Sequence, residues 1–137
     1  MSELEMRGIM LDPARLTERR KVYRDMIALY GQWGYNALFW HFTDNEGCAL
    51  KFPSRPELGG LHAYDEREMR NFIRYADRHG LQVIPEVEAL GHTRCITDLE
   101  RYQHLRDGVP GKMFGAICPL APETREILTD ILTDTAR

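Results

Sequence analysis

Cysteine is scarce in this sequence. Cys48, Cys95 and Cys118 are widely spaced, odd in number, and form no Cys-x-x-Cys pair. A disulfide framework and a zinc knuckle are therefore not indicated, and buried or semi-buried thiols in a reducing compartment are expected. Long apolar runs are also missing. No stretch approaches the roughly 20 apolar residues needed to span a bilayer. The acidic opening Met1-Ser2-Glu3-Leu4-Glu5-Met6 lacks the apolar segment of a secretory leader. The expectation is a cytoplasmic protein with no membrane partner. Positive charge is not in surplus: 18 Lys and Arg stand against 21 Asp and Glu, for a net charge of -3. Nucleic acid is accordingly not an expected partner. No Gly-x-Gly-x-x-Gly or other glycine-rich phosphate loop is present, which argues against a dinucleotide fold.

What is present is the composition of one globular domain, 137 residues long. Met6 to Leu11 reads as a short buried strand closed by Asp12-Pro13. From Thr17 the period changes. Val22, Met26, Leu29 and Trp33 recur at helical spacing beside Tyr23, Ile27 and Tyr30, and Gly34 suits the left-handed stop. Asn36 to Phe42 is apolar on both faces, as a covered parallel strand should be. Thr43 to Tyr64 is a long loop with Gly47, Pro53, Pro56, Gly59 and Gly60. Asp65 and Glu68 have capping-box spacing before a helix striped by Met69, Phe72, Ile73 and Ala76. Leu81 to Pro85 is a third strand. Ile96, Leu99, Tyr102 and Leu105 suggest a helix over Thr93 to Arg106, followed by a loop from Asp107 to Pro119. Pro122 opens a last helix carrying Ile127, Leu128, Ile131 and Leu132. Trp33 and Trp40 are expected in the core. Arg15, Arg19, Arg20, Lys21 and Arg24 read most simply as a solvated basic face.

Alternating strands and helices imply a parallel sheet with right-handed crossovers. The fold class is α/β, either an open doubly wound sheet or a barrel of eight β/α units. A full barrel needs about 250 residues. Three units are visible here, so residues 1–137 are expected to form the first part of a (β/α)8 TIM barrel, with a fourth strand expected after Arg137. Functional side chains in such folds gather where strands exit. Asp12 and Arg15 follow the first strand. His41, Thr43, Asp44, Asn45 and Glu46 follow the second, and Glu86, Glu88 and His92 follow the third. Carboxylates, a histidine and a nearby Trp40 suit carbohydrate chemistry.

Four segments in this order carry a resemblance. They are Arg7-Gly8-Ile9-Met10-Leu11-Asp12, His41-Phe42-Thr43-Asp44-Asn45-Glu46-Gly47, Ile84-Pro85-Glu86-Val87-Glu88-Ala89-Leu90-Gly91-His92, and Cys118-Pro119 with Pro122-Glu123-Thr124. Together they resemble the start of the catalytic barrel of glycoside hydrolase family 20, the β-N-acetylhexosaminidases. Leu90-Gly91-His92 is more similar to the bacterial exo-hexosaminidase branch. The resemblance implies a carbohydrate substrate and retaining hydrolysis assisted by the substrate's own 2-acetamido oxygen, with no cofactor and no metal. It also implies an Asp-Glu pair at the end of the fourth strand, expected beyond Arg137 and so absent from these residues. The isolated chain is then expected to be inactive. Asp44 and His92 match a supporting pair that tunes the acid, and Arg7 matches an arginine that holds sugar hydroxyls. Glu46 and Glu88 fall at substrate-side positions where Gln and Asp are usual, so they are expected to bear on sugar specificity. A homo-oligomer is left open.

Plainer readings stand beside these. Arg7 pairs with a surface acid, Asp44 makes a loop Asx-turn, and His92 starts a helix. Glu86 and Glu88 alternate, so only one faces the rim if the strand continues. The second functional reading is a metal-dependent barrel enzyme using His41, Asp44, Glu86, Glu88 and His92 with Mg, Mn or Zn. Against it, neither His-x-His nor His-Glu-x-x-His occurs. A third reading is an inactive fragment.

Overall fold

The computed structural model describes residues 4–108 and 115–137. The opening Met1-Ser2-Glu3 and the middle of the Asp107–Pro119 loop lie outside the described residues. Three parallel strands form one sheet in the order β1 (Gly8–Leu11), β2 (Ala37–His41), β3 (Gln82–Glu86). Gly8 pairs with Ala37 and Leu11 with Trp40. Across the other side of β2, Ala37 pairs with Gln82 and His41 with Glu86. Helix α1 (Arg20–Gln32) connects β1 to β2, and α2 (Glu66–Arg78) connects β2 to β3. A short α3 (Arg94–Thr97) and a long α4 (Pro122–Thr135) follow. No helix among the described residues is long and apolar enough to cross a membrane.

The core lies between the sheet and its helices. Leu38 and Trp40 alternate onto that face and are fully buried. The Trp40 ring meets Tyr23 of α1 edge-on at 4.9 Å, Phe72 of α2 at 4.3 Å and Tyr64 at 5.7 Å between centroids. Such offset and edge contacts add to the burial of large rings. On the other face, Phe39 packs across Gly8, where any Cβ would come within 2.7 Å of the Phe39 ring. That close approach explains the glycine at the start of β1. His41 lies on the Phe39 face at the exit of β2.

Several expectations are corrected. β1 is not a buried strand, since Gly8 and Met10 are exposed. It is an edge strand, paired only with β2 among the described residues. Helix α1 starts at Arg20 rather than Thr17 and turns Tyr23, Ile27 and Tyr30 inward. Leu29 and Trp33 therefore point outward, and Trp33 is 65% exposed instead of lying in the core. Ile73 and Leu132 likewise lie at the outer margins of their stripes. The expected helix over Thr93 to Arg106 is broken. Leu99 is extended (ψ 131°), and Glu100–Leu105 is a 3-10 helix. The period of three in Ile96, Leu99, Tyr102 and Leu105 fits that tighter winding better than 3.6 residues per turn. The capping box of Asp65 and Glu68 is present, Pro122 opens α4, and Gly34 takes φ 82°.

The loop between β2 and α2 is packed rather than loose. Phe52, Leu58, Ala63 and Tyr64 are buried within it. Arg55 fastens it to the end of the chain. Its guanidinium donates to Asp130 at 2.7 Å and Glu126 at 2.8 Å on α4, and to the Tyr102 hydroxyl at 3.2 Å. The Tyr102 hydroxyl in turn donates to Glu57 at 2.5 Å. Arg55 is 8% exposed, so its charge depends on these partners.

Two substitutions test this packing. Arg55→Ala leaves acids and a buried tyrosine without their donor, and should cost about 2–4 kcal/mol in urea denaturation. Gly31→Ala should also destabilise, by about 1–3 kcal/mol, although alanine favours helix by about 1 kcal/mol. A Cβ there would collide with the backbone carbonyl of His79 at the end of α2.

Candidate active site

The rim where the three strands exit is organised around one carboxylate. Asp44 stands three residues past the end of β2 and is 1% exposed. Its backbone amide donates to the Gly47 carbonyl at 2.9 Å, closing a tight turn. Its Oδ1 accepts from the Glu46 amide at 3.4 Å, in an Asx arrangement. Its Oδ2 faces three cationic or titratable groups. Arg15 Nη2 lies at 2.7 Å, His92 Nδ1 at 3.3 Å and His41 Nε2 at 3.4 Å. These come from the exits of β1, β3 and β2 respectively.

Each arm is held locally. Asp12 accepts from the Arg15 amide at 3.0 Å and the Arg15 guanidinium at 2.7 Å, which aims the remaining Nη2 at Asp44. Arg15 is thus exposed but ion-paired with Asp12 and Asp44. It lies in the β1–α1 turn and joins the rim. Arg20 stacks on the Tyr64 ring at 3.4 Å and is likewise partnered. His92 sits at φ 50°, in the left-handed region that L-residues rarely adopt. The adjacent turn is pinned by Asn45, which accepts from the Arg94 amide at 3.2 Å and lies 3.4 Å from His92 Nδ1. His92 Nε2 has no hydrogen-bond partner among the described residues, and its ring is about half exposed. Burial pulls the Asp44 carboxyl upward. The bonds from His41 and the Glu46 amide, with the charge of Arg15, outweigh that and hold it below its ordinary value. Asp44 is therefore an anion at neutral pH, able to orient two imidazoles.

Asp44 and His92 are thus brought together. Glu46 lies beside them with its side chain exposed. Arg7 is not brought there. It precedes β1, at the opposite end of the sheet, about 13 Å or more away by strand rise. Its Nε donates to the Gly34 carbonyl at 2.6 Å and its Nη1 to the Leu4 carbonyl at 2.7 Å. Glu86 and Glu88 depart from strict alternation because β3 ends at Glu86. The Glu88 amide donates to Thr43 Oγ1 at 2.8 Å, and both carboxylates come within 4.8 Å of the His41 ring nitrogen. Of the five residues considered for a metal, only His41, Glu86 and Glu88 cluster in that way among the described residues. Arg15 was expected at the exit of β1, but its pairing with Asp44 at 2.7 Å was not. The visible signal was its position three residues after Asp12.

Asp44→Asn should lower stability by about 1–3 kcal/mol, because it removes charge-assisted bonds from a buried site. His92→Ala should change it by less than about 0.5 kcal/mol, as expected for an exposed ring. The Asp44 contribution is present above its unfolded carboxylate value and is lost as pH falls through the lower folded one. Thermal midpoints between pH 7 and 2 should therefore drop less steeply at the acid end in Asp44→Asn.

Known proteins share this fold. A Vibrio furnissii protein described as a beta-hexosaminidase is 30% identical over 111 residues, covering 65% of this chain and 18% of its own length. The structure superposes on the Vibrio harveyi GH20 exo β-N-acetylglucosaminidase with a TM-score of 0.84 and 23% identity, covering 98% of this chain and 26% of that one. The GH20 β-N-acetylhexosaminidase of Streptomyces coelicolor A3(2) gives a TM-score of 0.83 at 25% identity, over 98% of this chain and 31% of that one. The chain thus spans about a fifth to a third of the length of these proteins. The solved neighbours are TIM barrels, and the parallel β/α units here correspond to the N-terminal portion of that fold. Residues 4–137 match the family described as glycosyl hydrolase family 20, catalytic domain, and this chain belongs to that family.

Proposed function

We propose that residues 1–137 form one side of the sugar-cleaving cavity of a β-N-acetylhexosaminidase, an enzyme that removes terminal β-linked N-acetylhexosamine. The observation that carries this reading is the contact of Asp44 with His92 at the strand exits of a family 20 catalytic domain. The reaction proposed is retaining and substrate-assisted. The acetamido oxygen attacks the anomeric carbon while a carboxylic acid protonates the departing oxygen. An ionised, buried Asp44 fixes the His92 ring, and the open Nε2 is left to face that acid and adjust its proton affinity. Asp44 and His92 are therefore positioning residues. Glu46, exposed beside them, is proposed as an acceptor for a sugar hydroxyl. Arg7 supports the start of β1 in this reading, because its guanidinium is occupied there.

The acid itself is proposed to lie outside these residues. The only adjacent Asp-Glu in the chain is Asp65-Glu66. Asp65 is committed to capping α2, where it accepts from the Glu68 amide at 2.8 Å.

The test is hydrolysis of 4-nitrophenyl N-acetyl-β-glucosaminide and its galacto epimer. The 137-residue chain should give no turnover. A longer version of the polypeptide that completes the barrel should cleave at least one of the two. Within it, Asp44→Asn should lower kcat by about 100-fold or more with a smaller change in KM. Turnover by the short chain would place the acid within it. Failure of the completed protein on both substrates would overturn the reading.

A further inference from the structure

The geometry points to a divalent-cation site at the exits of β2 and β3, made by His41, Glu86 and Glu88 and suited to Zn2+. One ligand atom from each of these residues lies within 4.8 Å of the other two. Glu86 Oε1 is 3.4 Å from His41 Nδ1.

Three independent features support a cation there. First, His41 is 2% exposed, yet its Nδ1 makes no hydrogen bond and lies 3.4 Å from Glu86 Oε1. A buried ring nitrogen without a partner is costly unless something occupies its lone pair or takes its proton. Second, the opposite nitrogen, Nε2, rests against the Asp44 carboxylate at 3.4 Å. Ligating histidines commonly have their other nitrogen held by a carboxylate, which sets the tautomer and leaves the facing nitrogen free to coordinate. Third, no Lys or Arg pairs with Glu86 or Glu88 among the described residues, and the Glu88 carboxylate has no hydrogen-bond partner there. Two carboxylates beside a buried imidazole thus lack a neutralising charge.

The donor set selects the ion. Mg2+ and Ca2+ favour all-oxygen shells. One imidazole and two carboxylates suit Zn2+, which binds nitrogen and oxygen at about 2.0–2.2 Å. Tetrahedral ligands at that distance sit about 3.3–3.6 Å apart, so the cluster must contract by roughly 1 Å. The half-buried Glu86 and Glu88 side chains supply that movement while the imidazole stays fixed. A fourth position is left for water. This reassigns Glu88 from sugar contact to cation ligand. It does not depend on the hydrolase reading, because binding is measured without sugar.

The experiment uses the purified 137-residue chain after chelation and dialysis. Calorimetric titration with zinc chloride should give one ion per chain, with a Kd of about 10 µM or tighter. Co2+ should bind with the visible absorption of a low-coordinate ion. Glu88→Gln, at a half-buried position, should weaken Zn2+ binding by about tenfold or more while the circular dichroism spectrum is unchanged. His41→Gln should abolish binding. His104→Gln, in the exposed pair of His104 with Glu123 at 2.9 Å, should bind as the parent does. A Kd weaker than about 10 µM, equal affinity in Glu88→Gln, or loss of binding in His104→Gln would each overturn the proposal.

Discussion

One carboxylate oxygen, Asp44 Oδ2, ties together the exits of all three strands. Arg15 reaches it from β1, His41 from β2 and His92 from the segment after β3. Parallel strands in a β/α fold hydrogen-bond along their length, but their exits are free to splay into loops. A buried anion with three partners from three loops removes that freedom. The arrangement stays affordable because Arg15 lies at 2.7 Å and compensates the charge. The rim is thus positioned by electrostatics, while the sheet beneath it is positioned by backbone pairing and by the Trp40 cluster.

The two faces of the sheet are unequal. Toward the helices, Leu38 and Trp40 are closed off by Tyr23, Ile27, Met69 and Phe72. Toward the other face, Phe39 is only partly covered and Met10 is about half exposed. Barrel strands need a filled interior as well as an outer ring of helices. His41 stands at the boundary between these regimes, on the open face yet buried, with one ring nitrogen toward Asp44 and the other toward Glu86. That position makes it the hinge between the supporting pair proposed for hydrolysis and the inferred cation site.

Much of the fold was legible in the residues. Asp65 with Glu68 marked the start of α2, Pro122 the start of α4 and Gly34 the stop after α1, because caps and left-handed turns depend on local chemistry. The apolar run Ala37–Trp40 identified a largely buried strand, with Leu38 and Trp40 alternating onto the helix-facing side. Errors arose where tertiary context decides. The apolar residues of α1 form a stripe wide enough to be turned in two ways, and docking against Trp40 chose Tyr23, Ile27 and Tyr30 over Trp33. The spacing of three in Ile96 to Leu105 fitted two helix types, and the extended Leu99 separated them.

By itself, the sequence determined the alternation of strands and helices, the caps, and the gathering of Asp44, Glu86, Glu88 and His92 at strand exits. These follow from short-range sterics and from the one-way direction of parallel strands. Only the tertiary structure decided which of those groups meet. It brought Arg15 from a basic stretch to Asp44, left Arg7 at the far end of β1, and ended β3 at Glu86 so that two carboxylates share one imidazole. Contacts of this kind join residues some 30 to 50 positions apart, and charge pairing acts over a few ångströms that no linear spacing encodes.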